Sequence, residues 1–262
     1  MSEEKPLIFK GKTLVASGCS HTFGQYQFDN DPVTCHERSW VKKLENLGMF
    51  DKSVNLSRNA CSNDRILRVV YDYVERNYKT IKDSVIIIAL TDPHRFELPS
   101  IERTYFSKDE SNYDHESYVI NSIMLSNLPA CTDTQVAPQF IETYFKYFYV
   151  EQYTLKMLNQ KIVGLSSLLT RLGVEHYFTD FLTGNAFFEE PHMGMTFPYL
   201  KIFENGHDNI MIAIKKLGFK VGKDVDTTSP FCNHLDHDGN QFIADCFLRD
   251  IKKWRERIKN GT

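Results

Sequence analysis

Apolar positions along the chain change period in a way that predicts alternating strands and helices. Residues 13–17 (TLVAS) form a short apolar run that stops at Gly18, as a buried strand does where it enters a turn. Residues 37–47 place Trp40, Val41, Leu44 and Leu47 on one helical face, with Gly48 positioned to end the helix. Residues 53–56 (SVNL) predict a second strand, and Ser62 predicts the N-cap of a helix to Tyr78 with Ile66, Leu67, Val70, Tyr73 and Val74 as its stripe. Residues 84–90 (SVIIIAL) are apolar on both alternations, which requires burial on both faces, as in a parallel sheet.

The second half repeats the pattern after an interruption. Residues 98–138 are polar, lack a period and carry Pro99, Pro129 and Pro138, so they read as an insertion over the sheet edge. Residues 139–172 predict a long helix broken near Gly164, and Gly173 separates it from a strand over 174–182. A helix over 209–217, a weak strand over 219–225 and a closing helix over 239–258 complete the reading. Strand–helix alternation predicts an α/β, three-layer α/β/α sandwich with a mostly parallel five-stranded sheet. With no repeat, low-complexity tract or linker, residues 1–262 read as a single domain.

Composition narrows the function classes. The 42% hydrophobic and 25% charged content suits a packed globular protein, and a net charge of −3 gives no field that would gather nucleic acid. Residues 1–12 are too charged for a signal peptide, and no run approaches the length of a membrane span, so neither membrane nor nucleic acid is expected as a partner. Six cysteines, at 19, 35, 61, 131, 232 and 246, form no CxxC pair, which favours reduced thiols and a cytoplasmic location. The nine histidines show no HxxxH or HExxH spacing, so no metal or other cofactor is expected.

Candidate chemistry begins where the first strand ends, at Gly18-Cys19-Ser20-His21-Thr22-Phe23-Gly24. A serine just past the carboxyl end of the first strand stands where open α/β sheets collect ligands. The residues alone leave two readings: a nucleophile on a glycine-flanked turn, or a serine that caps the next element.

This heptapeptide resembles the first sequence block of the SGNH (GDSL-like) hydrolases, GDSxTxG, with Cys19 in the place of Asp. Asn55 to Ile66 (NLSRNACSNDRI) resembles the second block, Ala89-Leu90-Thr91-Asp92 stands where the third block (GxND) belongs, and His234 to Asp245 (HLDHDGNQFIAD) resembles the closing His-Pro-x-x-x-Gly-His-x-x-x-Ala-Asp pattern. Residues Thr91 to Glu97 (TDPHRFE) also look like a branch found among bacteriophage and bacterial proteins.

The resemblance implies a flavodoxin-like SGNH fold and a serine esterase or deacylase acting on a small or carbohydrate-linked acyl ester. Ser20 would be the nucleophile and His234 the general base of a Ser–His dyad. The oxyanion would be held by the N–H of Ser20, the N–H of Ala60 and the side chain of Thr91. Ala60 and Thr91 replace the family's Gly and Asn, and the acid expected three residues before the histidine falls on Phe231. Asp226 is an alternative acid, and His237 gives an alternative histidine frame. Asn63 either lines the pocket or caps the following helix, and Arg95 with Glu97 reads as an ion pair or a solvated loop end. The second functional reading is a non-catalytic SGNH-fold binding or structural protein, such as a phage-particle component.

Overall fold

The computed structural model describes residues 9–25, 31–59, 61–93, 95–99, 117–120, 138–180 and 234–259. Strand β1 (Phe9–Ser17) is central, with β2 (Phe50–Asn55) parallel on one side and β3 (Ser84–Leu90) parallel on the other. β3 pairs in parallel with a strand at Glu175–Asp180, giving a four-stranded sheet. Taken in chain order, these strands have the 2-1-3-4 arrangement of a flavodoxin-like sheet. The expected fifth strand, over 219–225, and the helix over 209–217 lie outside the described residues.

Alternation within single strands shows why the fold needs three layers. Leu14 and Ala16 of β1, with Val85, Ile87 and Ala89 of β3, face a core completed by Trp40, Val41, Leu44, Ile243, Phe247 and Ile251. Val15, Ile86, Ile88 and Leu90 face the other way, into a core completed by Ile66, Val70, Val74, Ile162, Leu165 and Leu169. All seven residues of β3 are buried. A strand apolar on both faces must be covered twice, and helices do so here.

The helices follow the sequence with three corrections. The segment over 37–47 is two helices, α2 (Pro32–Arg38) and α3 (Trp40–Asn46), preceded by the single turn α1 (Ser20–Phe23). Ser39 divides them: its extended backbone (φ −64°, ψ 153°) ends α2, and its side chain accepts from the Lys42 N–H at the start of α3. Helix α4 (Asn63–Arg76) is capped by Ser62, whose Oγ accepts from the Arg65 N–H. The long helix breaks at 148–150, not near Gly164, giving α5 (Pro138–Tyr147) and α6 (Glu151–Arg171). Val150 takes a β-branched residue's preferred extended backbone there (φ −125°, ψ 108°), whereas Gly164 sits within α6 with only the Tyr71 hydroxyl near its missing side chain.

At and beside the stretch read as an insertion, β4 (Phe96–Pro99) pairs antiparallel with β5 (Ser117–Ile120), so the Glu175–Asp180 strand becomes β6. The closing helix α7 (His237–Lys259) starts two residues earlier than the apolar stripe indicates. Asp236 explains this, since its Oδ1 accepts from the Gly239 N–H as an N-cap does.

Candidate active site

Because the sheet is parallel, the carboxyl ends of β1, β2 and β3 share one edge. The chain leaves β1 toward β2 on one side and returns to β3 on the other, so the gap between the ends of β1 and β3 is a topological switch point. Ser20 follows β1 and Thr91 follows β3, which puts both beside that gap.

The turn carrying Ser20 is shaped by close packing. A Cβ on Gly18 would lie 2.2 Å from Thr22 Oγ1 and 3.1 Å from the Ala89 Cβ. Gly24 has φ +87°, and a Cβ there would lie 2.1 Å from the Cys35 carbonyl oxygen. Between them the Thr22 and Phe23 N–H groups donate to the Cys19 carbonyl at 3.0 and 2.9 Å, and Gly24 donates to Ser20 at 3.1 Å. The glycines of the motif are thus demanded by the fold, whatever Ser20 does. Ser20 is 8% exposed, and its side chain makes no hydrogen bond among the described residues.

Asn55, at the end of β2, joins the second segment to this turn. Its Nδ2 donates to the Thr22 carbonyl at 2.8 Å, while its Oδ1 accepts from the Ser57 N–H at 3.1 Å. Asn63 performs a similar task at β3. Its Oδ1 accepts from the Thr91 N–H and its Nδ2 donates to the Thr91 carbonyl, both at 2.8 Å. The cap is therefore Ser62, and Asn63 is a clamp on Thr91. Both main-chain groups of Thr91 are occupied, so its hydroxyl is what remains to serve a ligand. That hydroxyl is fully buried and has no partner among the described residues.

The histidine from the far end of the chain meets the same turn. The His234 ring lies 5.1 Å, centroid to centroid, from that of His21, tilted by 42°. His21 is itself buried, and its Nδ1 has no partner among the described residues. Burial, helped by the nearby His234 and Arg95, holds the His21 imidazole well below its ordinary titration range, so the ring is neutral near pH 7. Arg95 comes from the loop after β3 and donates to the Cys61 carbonyl at 3.4 Å; the Glu97 side chain lies outside the described residues.

Two side chains hold the approach to His234. Asn240 is 1% exposed; its Nδ2 donates to the Leu235 and Asp236 carbonyls at 3.1 and 3.0 Å, and its Oδ1 accepts from the Trp40 N–H at 3.1 Å. Asp236 caps α7 as described above. His237 points elsewhere: it is exposed and meets the Lys43 ammonium at 3.0 Å. His234, not His237, is the histidine brought to the Ser20 turn. Ala60, Asp226 and Phe231 lie outside the described residues.

Sequence reasoning passed over His21, Asn55 and Asn240. His21 stood inside the first motif, directly after Ser20. Asn240 stood at the place where the closing pattern has its second histidine, and a polar residue at that spacing was the available signal.

Among the described residues no group of three or more His, Cys, Asp or Glu could hold a metal, and no helix is long and apolar enough to cross a membrane. Cys19, Cys35, Cys61 and Cys246 are buried thiols outside any disulfide.

Fold and site together define a parallel, flavodoxin-like α/β sandwich with a serine and a histidine drawn toward its switch point. No family model and no curated protein matches the chain. Among solved structures it is similar to a psychrotrophic esterase, EstA, from Pseudoalteromonas sp., inhibited by monoethylphosphonate (13% identity, 94% of this chain and 99% of that one, TM-score 0.42). It is also similar to a lipolytic protein of the G-D-S-L family from Desulfitobacterium hafniense (12%, 91% and 98%, TM-score 0.41) and to TesA (12%, 92% and 99%, TM-score 0.40). The roles of individual residues rest on the chain's own geometry.

Proposed function

We propose that this chain is a serine hydrolase of SGNH type that cleaves a small or carbohydrate-linked acyl ester. The observation that carries the proposal is the contact of the His234 ring with His21, the residue next to Ser20, because it draws an imidazole from the end of the chain to the first-strand turn. Ser20 Oγ attacks the acyl carbon while His234 takes the hydroxyl proton. The alcohol leaves with that proton, and water, deprotonated by His234, then releases the acid and restores Ser20. The Ser20 and Ala60 N–H groups and the Thr91 hydroxyl are the proposed donors to the oxyanion, each worth roughly 10²–10³ in rate. Asn63 acts through Thr91, by fixing its backbone.

Turnover of p-nitrophenyl acetate by the wild type, Ser20→Ala and His234→Gln tests this. Each variant is expected to lose at least about 10²-fold in kcat. Equal turnover by Ser20→Ala overturns the proposal.

A second reading, a non-catalytic binding or structural protein on the same fold, is favoured by one observation. The Ser20 side chain lacks a hydrogen bond among the described residues, where an activated nucleophile would have its base as partner. Stoichiometric labelling of Ser20 by a fluorophosphonate probe argues for the hydrolase; no labelling of the folded protein argues for the binding protein.

A further inference from the structure

In the Ser–His site proposed above the acid expected three residues before the histidine falls on Phe231, and one residue packed against His234 is another histidine. We propose that His21 is the positioning residue for His234, a buried imidazole that accepts the His234 N–H once His234 has taken the proton of Ser20. The inference rests on the hydrolase reading for its catalytic meaning, but the pairing of the two rings can be measured without turnover.

Three observations carry it. Ring centroids 5.1 Å apart bring a nitrogen of one imidazole to hydrogen-bond distance of a nitrogen of the other when both point along the line between the rings. His21 Nδ1 is buried without a partner among the described residues, and a buried polar atom in that condition points to a partner acquired at another stage. Finally, His21 stays neutral, which leaves it an acceptor nitrogen. The charged and titratable groups bearing on His21 are His234, from the segment before α7, and Arg95, from the loop after β3. Both oppose a proton on His21.

In the step itself the Ser20 proton passes to His234, whose other N–H then donates to His21 Nδ1. His21 gains no proton and loses none. A neutral acceptor fixes the orientation of the base, as a carboxylate does in other Ser–His sites, but stabilises the imidazolium less.

The test is an NMR titration of the His234 imidazole, assigned by its loss in His234→Gln, in the wild type, His21→Phe, His21→Asn and His21→Asp. Removing the acceptor in His21→Phe should lower the His234 midpoint. A carboxylate in His21→Asp should raise it by roughly one unit, and His21→Asn should leave it near the wild-type value. In the p-nitrophenyl acetate assay His21→Phe should lose about tenfold in kcat with KM little changed, and the acidic limb of the pH profile should move with the midpoint. A purely structural ring would instead favour Phe over Asn and move no midpoint. An unmoved His234 midpoint in folded His21→Phe and His21→Asp overturns the pairing; should His21→Phe fail to fold, His21→Asp alone decides. If the midpoints shift as expected while Ser20→Ala keeps full turnover, the pairing stands and the hydrolase reading falls.

Discussion

The two halves of the candidate site are held in place very differently. The Ser20 turn is fixed by backbone packing at Gly18 and Gly24, by its own hydrogen bonds and by Asn55. The His234 approach depends on two side chains, Asn240 and Asp236, and on contact with His21. A serine fixed by local backbone contacts thus stands beside a histidine placed by side-chain contacts from distant parts of the chain. The contrast also predicts where substitutions will be costly for folding and where they will act on chemistry first.

The largest effect is expected at Gly24. Alanine there meets a left-handed backbone and the Cys35 carbonyl oxygen at once, and carbonyl backbone cannot swing aside as a side-chain tip can. Gly24→Ala should cost about 3–5 kcal/mol, read as a lower urea midpoint, or fail to fold. An unchanged midpoint would mean that the Ser20 turn is looser than its packing indicates.

Next comes Asn240→Ala. It leaves the buried Trp40 N–H without its acceptor and removes the side-chain donor to the Leu235 and Asp236 carbonyls, though the Asp236 carbonyl keeps the Asn240 backbone N–H. The expected loss is about 2–3 kcal/mol. Because these bonds anchor the residues beside His234, labelling of Ser20 by a fluorophosphonate should slow more than stability alone explains. Compared at a temperature where both proteins are fully folded, equal labelling rates would remove Asn240 from the support of the base.

How much of this was legible in the sequence follows from the range of the interactions involved. The run over 84–90 announced a doubly covered strand because burial on both faces leaves no polar alternation, and Ser62 announced a cap because that contact is local. The start of β1 was hidden: Lys10, Gly11 and Lys12 look like a loop, yet they belong to the strand, at an irregularity of its pairing with β2 between Phe9 and Thr13 where the Gly11 N–H donates to the Asp51 side chain. The split at Ser39 was hidden too, because the stripe at Trp40, Val41, Leu44 and Leu47 marks α3 but carries no signal for the end of α2 before it. Within the site, the motifs pointed to Ser20, Thr91 and His234, while Asn55, Asn240 and the ring of His21 act across dozens to hundreds of residues. No periodicity encodes such contacts.

A pH comparison sharpens the contrast between partnered and unpartnered histidines. His176 of β6 is buried with both nitrogens engaged, Nε2 with the Ser166 hydroxyl at 2.8 Å and Nδ1 with the Val174 carbonyl at 2.9 Å. His21 is buried with Nδ1 open. Burial lowers the titration of both, as it does for His36. With folded values below the ordinary value near 6.5, the unfolded chain binds protons that the folded chain refuses once the pH drops below that value. Stability should therefore be level above about pH 7 and decline as the pH falls from 6.5, by at most about 1.4 kcal/mol per unit for each such histidine. Urea midpoints at pH 7.5 and 5.5 measure this, and His176→Gln should reduce the difference between them. A midpoint higher at pH 5.5 would contradict the neutral, buried state of these rings.

The smallest effect separates the two halves most cleanly. Asn55→Ala removes the 2.8 Å bond to the Thr22 carbonyl and the 3.1 Å bond from the Ser57 N–H, and each is one tie among several on the same turn. About 1 kcal/mol of stability should be lost, since Asn55 is half-buried and water can take up part of what it leaves. The glycine packing still fixes the turn, so Ser20 should label at close to the wild-type rate. This outcome, set beside slow labelling in Asn240→Ala, would show that redundancy protects the nucleophile and that the base has little of it. Equal slowing in the two variants would mean instead that the turn and the His234 approach move as one unit, with Asn55 as much a part of the site as Asn240.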